Sequence, residues 1–301
     1  MPSETMRFCG AIALHKPKLF SSRHAVNAVQ KLLPRRHKVG HAGTLDPLAA
    51  GVLVVAIGPA TKLISYTQGT SKKYLGTFRL GFTSETEDIE SELVPLVDAP
   101  VPTRAQLSDA VGNFIGVIQQ TPPQFSAVKV NGQRAYKLAR AGKTAAIKSR
   151  RATIHSIELV SFDYPDFSLA IECGKGTYIR TLARDIAKSL GSDAVMTDLV
   201  RTAVGNFDIE DCTCPNSLTE EILASKMRAP VDLLGSLNRH HCTDEHFREL
   251  SFGRPVELRD YHSDHDEVAL VDKQDRLIAI VTRMKSEVWR TKINYAPLLV
   301  E

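Results

Sequence analysis

A chain of 301 residues with 43% hydrophobic and 24% charged side chains has the composition of a soluble globular protein, long enough for one large core and a small second domain. That composition excludes a disordered, collagenous or disulfide-scaffold protein, and the longest apolar stretch, residues 48–60, falls short of the roughly 20 residues a membrane helix needs. The cysteines Cys9, Cys173, Cys212, Cys214 and Cys242 are odd in number and lack CxxC spacing, and the first residues fit neither a secretory nor a transit signal, so free thiols and a cytoplasmic location are expected.

Charge is unevenly spread. Residues 1–75 hold 11 Lys and Arg against two acids, Glu4 and Asp46, a net +9, and the remainder holds 27 against 32, a net −5. Ser22 is placed to cap a helix whose apolar positions Ala25, Val26, Val29 and Leu33 recur at helical spacing until Pro34. The basic loop Arg35-Arg36-His37-Lys38 leads to a glycine-punctuated loop at 40–51, and the β-branched run at 52–57 reads as a buried strand. Tyr74, Gly76, Phe78, Leu80 and Phe82 alternate as in a half-buried strand. Residues 84–98 are acid-rich and read as a mostly exposed loop that disfavours phosphate. Leu107, Ala110, Val111, Phe114 and Ile115 mark a helix after Thr103. Residues 125–130 read as a strand closed by an Asn131-Gly132 hairpin turn, and a second basic block, 129–151, holds eight Lys and Arg and no acid. Strands follow at 154–162 and 167–173, then a helix capped by Thr177 and stopped by Gly191. From residue 238 the pattern restarts with a short helix to Leu250 and strands at 267–271 and 277–282. The expected fold is α+β, with a mainly antiparallel mixed sheet flanked by helices in a main domain at 1–237 and a small all-β domain at 238–301.

Two stretches can carry chemistry. Gly40-His41-Ala42-Gly43-Thr44-Leu45-Asp46-Pro47-Leu48-Ala49-Ala50-Gly51 holds the only acid between Glu4 and Glu85. A lone carboxylate among cations and glycines, before a buried strand, either closes an Asp-Pro turn or serves as a reactive anion on a phosphate-binding surface. Cys173-Gly174-Lys175-Gly176-Thr177-Tyr178-Ile179-Arg180-Thr181 puts Tyr178 and Arg180 at a helix N-terminus. There the arginine can hold a carboxylate and the tyrosine can stack on a base or move a proton; a surface arginine and a packed tyrosine are the plainer alternative. This glycine turn is not an NTP-binding loop, because Leu169 stands where GxxxxGK[ST] needs its first glycine. Cys212, Cys214, His240, His241 and Cys242 lack zinc-finger spacing, so no metal site is expected. Two separate basic blocks favour a polyanionic partner over a merely solvated face.

Taken in order, these segments resemble the TruB-type tRNA pseudouridine synthases, and the resemblance runs from Gly10 to Phe207. Residues 40–51 are similar to that family's catalytic-aspartate motif, Pro59-Ala60-Thr61-Lys62 to its continuation, and Lys72-Lys73-Tyr74 to the strand entry bearing its stacking tyrosine. Residues 120–132 with 135–142, then 176–181, then Leu199-Val200-Arg201-Thr202 with Gly205 and Phe207, are similar to the later signatures. The resemblance implies that Asp46 is the catalytic carboxylate, Arg180 its salt-bridge partner, Tyr74 the stacking ring and Tyr178 a second tyrosine at the base. It further implies that His41 contacts the RNA loop, Leu199 lines the uracil pocket and Lys62 helps hold the backbone. Lys129 and Arg140, in the second basic block, would hold phosphates. The implied substrate is the T arm of tRNA, at the uridine of position 55, which must be flipped out of its stack; no cofactor, metal or membrane is implied, and a monomer is expected. The chain departs from the family pattern at Val200, at Phe125 and around Asp88, where Thr-Ser-Glu-Thr-Glu-Asp stands. The C-terminal segment resembles the family's PUA-like domain more loosely, and from residue 240 its nine basic and twelve acidic residues, net −3, do not favour phosphate.

Making pseudouridine breaks the N1–C1′ bond, turns the bound uracil, joins C5 to C1′ and removes the C5 proton, with no net redox change or hydrolysis. One carboxylate can serve, as nucleophile or as electrostatic partner, and attack at C1′, attack at C6 and a glycal route all stay open. A noncatalytic tRNA-binding or tRNA-folding protein would use the same basic surface, and a guide-RNA-dependent relative acting on ribosomal RNA is a third class. The Asp46 and Arg180 pair favours the enzyme, because binding RNA requires no carboxylate in a cationic loop.

Overall fold

The computed structural model describes residues 8–285 and 287–299; of the N-terminal stretch weighed as a targeting signal, Glu4 and the rest of residues 1–7 lie outside the described residues. The main sheet contains β1 (Gly10–Lys16), β2 (Val39–His41), β3 (Ala50–Ile57), β4 (Lys72–Leu80), β5 (Gly116–Gln120), β6 (Arg150–Asp163), β7 (Asp166–Cys173), β8 (Ala194–Val204) and β9 (Phe207–Asp208). Its path is β1-β3-β8-β4-β7-β6-β5, with β2 paired to β3 and β9 to β8. All these pairings are antiparallel except β3 with β8, where Ala50 lies opposite Val200 and Gly51 opposite Arg201. This is the mixed, mainly antiparallel sheet expected from the sequence.

Strand β3 is apolar without a break because both of its faces are buried. Leu53, Val55 and Ile57 join Ile12 and Leu14 against Ala25, Val26 and Val29 of helix α1 (Ser22–Lys31). The central strands bury Phe78, Leu169 and Met196 under α2 (Arg104–Gly112) and under α3 (Ile179–Ser189), whose Leu182, Ala183 and Ile186 form one apolar stripe. Where β3 meets β8, Gly51 takes φ +104°, and a Cβ there would lie 2.2 Å from the Arg201 carbonyl oxygen, so only glycine admits this approach.

The second sheet comprises β10 (Arg239–His241), β11 (Val256–Glu257), β12 (Glu267–Val271), β13 (Leu277–Lys285) and β14 (Val288–Asn294), ordered β10-β12-β13-β14-β11. It shares a core with the main sheet: Ala269, Ile280, Ile293 and Tyr295 lie in one buried cluster with Val52, Val54, Leu63 and Leu233. The Tyr295 hydroxyl also donates to the Pro59 carbonyl across this junction, at 3.1 Å.

Several local expectations need correction. Ser21, not Ser22, caps α1, accepting from the His24 amide. Helix α3 begins after Tyr178 without a side-chain cap, and the Thr177 hydroxyl instead donates to Gly174 within the preceding turn. Only Lys129–Val130 of the strand expected at 125–130 is extended in a ladder, pairing with Gln133–Arg134 across Asn131 and Gly132, both at positive φ as the turn requires. The residues before it satisfy their polar groups otherwise: Gln124 exchanges two hydrogen bonds with the Ala145 backbone, and Phe125 offers its carbonyl to Arg180. Helix α2 follows Thr103 as expected, with that residue as its cap, closed reciprocally by Gln106, but it ends at Gly112 and leaves Ile115 exposed. Gly81, at φ +76°, ends β4 before Phe82.

Leu63 is fully buried in the shared core, and Leu63→Ala should cost about 2–5 kcal/mol. Trp289, the chain's single tryptophan, sits buried in the second sheet. Urea unfolding followed by its fluorescence should shift to lower midpoint together with the far-ultraviolet circular dichroism of the whole chain; a fluorescence transition unmoved by this distant substitution would show two independent cores.

Candidate active site

The loop between β2 and β3 carries Asp46, and side chains from other elements grip it along its length. Arg201 of β8, itself buried, donates to the Val52 carbonyl at 2.7 Å, to Gly43 at 3.2 Å and to Thr44 at 3.4 Å. Beyond the aspartate, the Pro47 carbonyl accepts from the Leu19 amide at 2.8 Å and from the Lys16 ammonium at 3.4 Å. Lys16 ends β1 fully buried among backbone carbonyls, and burial pushes its amine down to about 8. A loop whose polar groups are held this way is a rigid mount for one side chain.

That side chain meets α3. Arg180 Nη2 donates to Asp46 Oδ2 at 3.0 Å and to the Phe125 carbonyl at 3.1 Å, and Nη1 donates to Asp88 Oδ2 at 3.1 Å and to the Thr86 carbonyl at 2.7 Å. The two carboxylates on this guanidinium differ in access: the Asp88 side chain is 2% exposed, the Asp46 side chain 45%. Asp88 is saturated from within, its Oδ1 accepting from the Thr86 hydroxyl and the Glu90 amide. Asp46 keeps an open face. The charge-assisted bond to a buried arginine fixes the direction of this carboxylate.

The surroundings are apolar. Leu45 and Leu48 of the loop itself join Ile179 and Leu199 in the core cluster, and the half-buried Tyr74 ring packs against the same cluster. Burial pushes the Tyr74 hydroxyl above the usual tyrosine range, so it stays protonated at neutral pH. Leu199 stands opposite Gly76 on neighbouring strands, and a Cβ at Gly76 would press on Leu199 and, more closely, on Phe78. Tyr178 is half-buried at the N-terminus of α3: buried Gln120 bonds both polar groups of its backbone, and the Arg150 guanidinium lies 4.6 Å from its ring centroid. His41 ends β2 half-buried, and burial lowers its imidazole below the usual range, leaving it neutral near pH 7.

The structure therefore brings together Asp46, Arg180, Tyr74 and Leu199, with Tyr178 and His41 at the ends of the elements that supply them. Lys62, Lys129 and Arg140 lie outside this group and exposed: Lys62 on the turn Gly58–Leu63, Lys129 on the short hairpin, and Arg140 at the end of the helix Ala135–Arg140. The acid-rich segment 84–98 is mostly exposed, as expected, but not throughout. Its first part is pinned under α3, because Asp88 pairs with Arg180 while Glu87 accepts from Thr181 at 2.9 Å and pairs with Arg184. Asp88, Arg201 and Lys16 escaped the sequence reading. The one pointer to Asp88 was the altered motif around it. Among the described residues, no group of three or more His, Cys, Asp or Glu side chains is placed to hold a metal ion.

Residues 30–179 match the model of the TruB family pseudouridylate synthase N-terminal domain. The chain is 44% identical over 214 residues to tRNA pseudouridine synthase B of Phocaeicola vulgatus, an alignment covering 68% of this chain and 89% of that protein. The chain belongs to the TruB family of pseudouridylate synthases. Agrobacterium fabrum tRNA pseudouridine synthase B is 39% identical over 287 residues, 90% of each chain, and that of Rhodopirellula baltica is 45% identical over 207 residues, 67% of this chain and 60% of that one. The crystal structure of a Cbf5-Nop10-Gar1 complex contains a chain of the same fold, at 23% identity and TM-score 0.74, over 98% of this chain and 86% of that one. That coverage includes the second sheet, consistent with the PUA-like fold expected for it.

The unequal access of the two carboxylates has a measurable consequence. Asp88→Asn strips a buried partner from Arg180 and should destabilise the fold by about 3–5 kcal/mol. Asp46→Asn removes a half-exposed partner and should cost only about 0–1 kcal/mol. Urea titration of both variants checks this, and equal losses would contradict the division between an anchoring and an available carboxylate.

Proposed function

We propose that this chain is a tRNA pseudouridine synthase whose target is the T-loop uridine at position 55, and that Asp46 is its reactive carboxylate. The relatives named above carry the tRNA part of this reading. The observation that supports the residue assignment is the half-exposed Asp46, ion-paired to a buried Arg180 beside the Tyr74 ring and Leu199. A protein that only bound or folded tRNA would have no use for an aimed carboxylate backed by a second, buried one.

Flipping a uridine out of a structured loop costs a few kcal/mol, offset by stacking and apolar contact in the receiving pocket. Tyr74 offers the stacking face, Leu199 the apolar wall and Tyr178 a second ring beside Arg180. Asp46 then presents its free edge to the nucleoside, where negative charge stabilises cationic character at C1′ as the N1 bond breaks. Arg180 holds that carboxylate and aims it. The uracil stays bound while it turns to offer C5, and no external oxidant, reductant or water is consumed. His41, neutral by its burial, can contact the loop by hydrogen bonding without adding charge. Lys62, Lys129 and Arg140, exposed outside that group, suit phosphates of the T arm. The reaction takes place in the cytoplasm, on a monomer, with residues 238–301 as a small C-terminal domain.

Tritium release from a tRNA transcript labelled at uracil C5 tests this. The native chain should release label, and Asp46→Asn or a transcript lacking the T-loop uridine should fall to background. Release by Asp46→Asn would remove that residue from its role. Affinity for tRNA, read by filter binding, should survive Asp46→Asn but weaken on the order of 10²-fold between about 50 and 200 mM salt if about four phosphates are neutralised. A salt-insensitive affinity would show that the exposed cations do not hold the backbone.

A further inference from the structure

Ser22 occupies the first turn of α1, yet the helix does not use its hydroxyl, because Ser21 is the cap. The Ser22 hydroxyl points away from its own helix into the β2–β3 loop. It accepts from the Leu45 amide at 3.0 Å and donates to the Leu45 carbonyl at 3.1 Å, and the residue is 4% exposed. That carbonyl belongs to the peptide bond joining Leu45 to Asp46. One oxygen, 23 residues away in sequence, therefore fixes the peptide plane from which the Asp46 side chain departs.

The geometry assigns Ser22 as a positioning residue for Asp46, a role that rests on Asp46 being the reactive carboxylate. The restraints from other elements act further from that peptide: Arg201 holds Gly43 and Thr44 before it, and Leu19 with Lys16 holds Pro47 after it; within the loop, the Asp46 carbonyl accepts from the Ala49 amide at 3.1 Å. Arg180 fixes only the carboxylate end of Asp46. With the tip and the backbone both held, the side chain has one direction. Without the Ser22 hydroxyl, the Leu45 amide is left buried without an acceptor, and the loop must shift to solvate it or to find another. The shift moves Asp46 relative to a bound nucleoside without touching the cations that bind the backbone of the RNA. Turnover should therefore suffer and affinity should not.

The test compares native chain, Ser22→Ala, Ser22→Thr, Ser21→Ala and Asp46→Asn by single-turnover tritium release, with rates counted per mole of tRNA-binding-competent protein and with thermal unfolding measured alongside. For Ser22→Ala the rate should fall about 10- to 100-fold, the scale of a displacement of about 1 Å at a reacting group, with tRNA affinity within about twofold of native. Ser22→Thr, which keeps the hydroxyl, should recover most of the rate. Ser21→Ala, which removes the true helix cap, should lower the unfolding temperature and leave the rate unchanged. A native rate for Ser22→Ala while Asp46→Asn is inactive would overturn the assignment of Ser22 and leave that of Asp46 intact. An active Asp46→Asn would overturn both. A Ser22→Ala chain that binds no tRNA would also overturn the assignment, because the hydroxyl would then belong to the fold and not to the aim of the carboxylate.

Discussion

A single guanidinium organises this protein. Arg180 is buried, and each of its two terminal nitrogens makes one bond to a carboxylate and one to a carbonyl. Removing an arginine from water is costly, and geometry of this kind is what compensates it. Those four acceptors come from segments far apart in the chain: the Asp46 loop, the 84–88 segment and the stretch before the short hairpin. The arginine thus closes the site as it orients it. Asp88 gives it a buried partner, which leaves Asp46 with an open face.

The sheet makes that contact possible. β3 and β8 form the one parallel pairing described in the main sheet, and Gly51 lets β3 approach the Arg201 backbone closely at this point. β8 in turn sends the Arg201 side chain back under the Asp46 loop, while Leu199, two residues before it, joins the core cluster. The close strand approach, the support of the loop and the apolar side chain come from two positions of one strand, Leu199 and Arg201, and a glycine opposite. The opposite face of β3 joins the second sheet through a common core, so the platform beneath the loop is two layers deep.

Much of this was legible in the sequence where the physics is local. The two-sided burial of β3 followed from its unbroken apolar run, the hairpin turn from Asn131-Gly132, and helix α2 from its apolar spacing after Thr103. Asp46 stood out as a solitary acid in a cationic stretch, and the ordered motifs named the family. What escaped depends on distant partners. Whether Asp88 is exposed or buried is decided by Arg180, 92 residues away, and nothing in an acid-rich segment announces such a partner. Arg201 and Lys16 escaped for the same reason, because their partners are mainly backbone carbonyls, which carry no sequence signal. The misplaced caps at Ser22 and Thr177 are near neighbours of the true helix starts. For Ser22 the shift by one residue mattered, since it released a hydroxyl for the loop.

The claim on which the rest depends is that the fork of Arg180, and not only its charge, aims the reactive carboxylate. The most direct measurement is the single-turnover rate of pseudouridine formation by Arg180→Lys, with tRNA affinity measured in parallel. Lysine keeps the charge but presents a single nitrogen and cannot hold both carboxylates in the fork geometry. The expected result is a rate lower by about 10²-fold or more at nearly native affinity. A native rate would contradict the account, because charge alone would then suffice and the shared guanidinium would be an incidental feature of the fold.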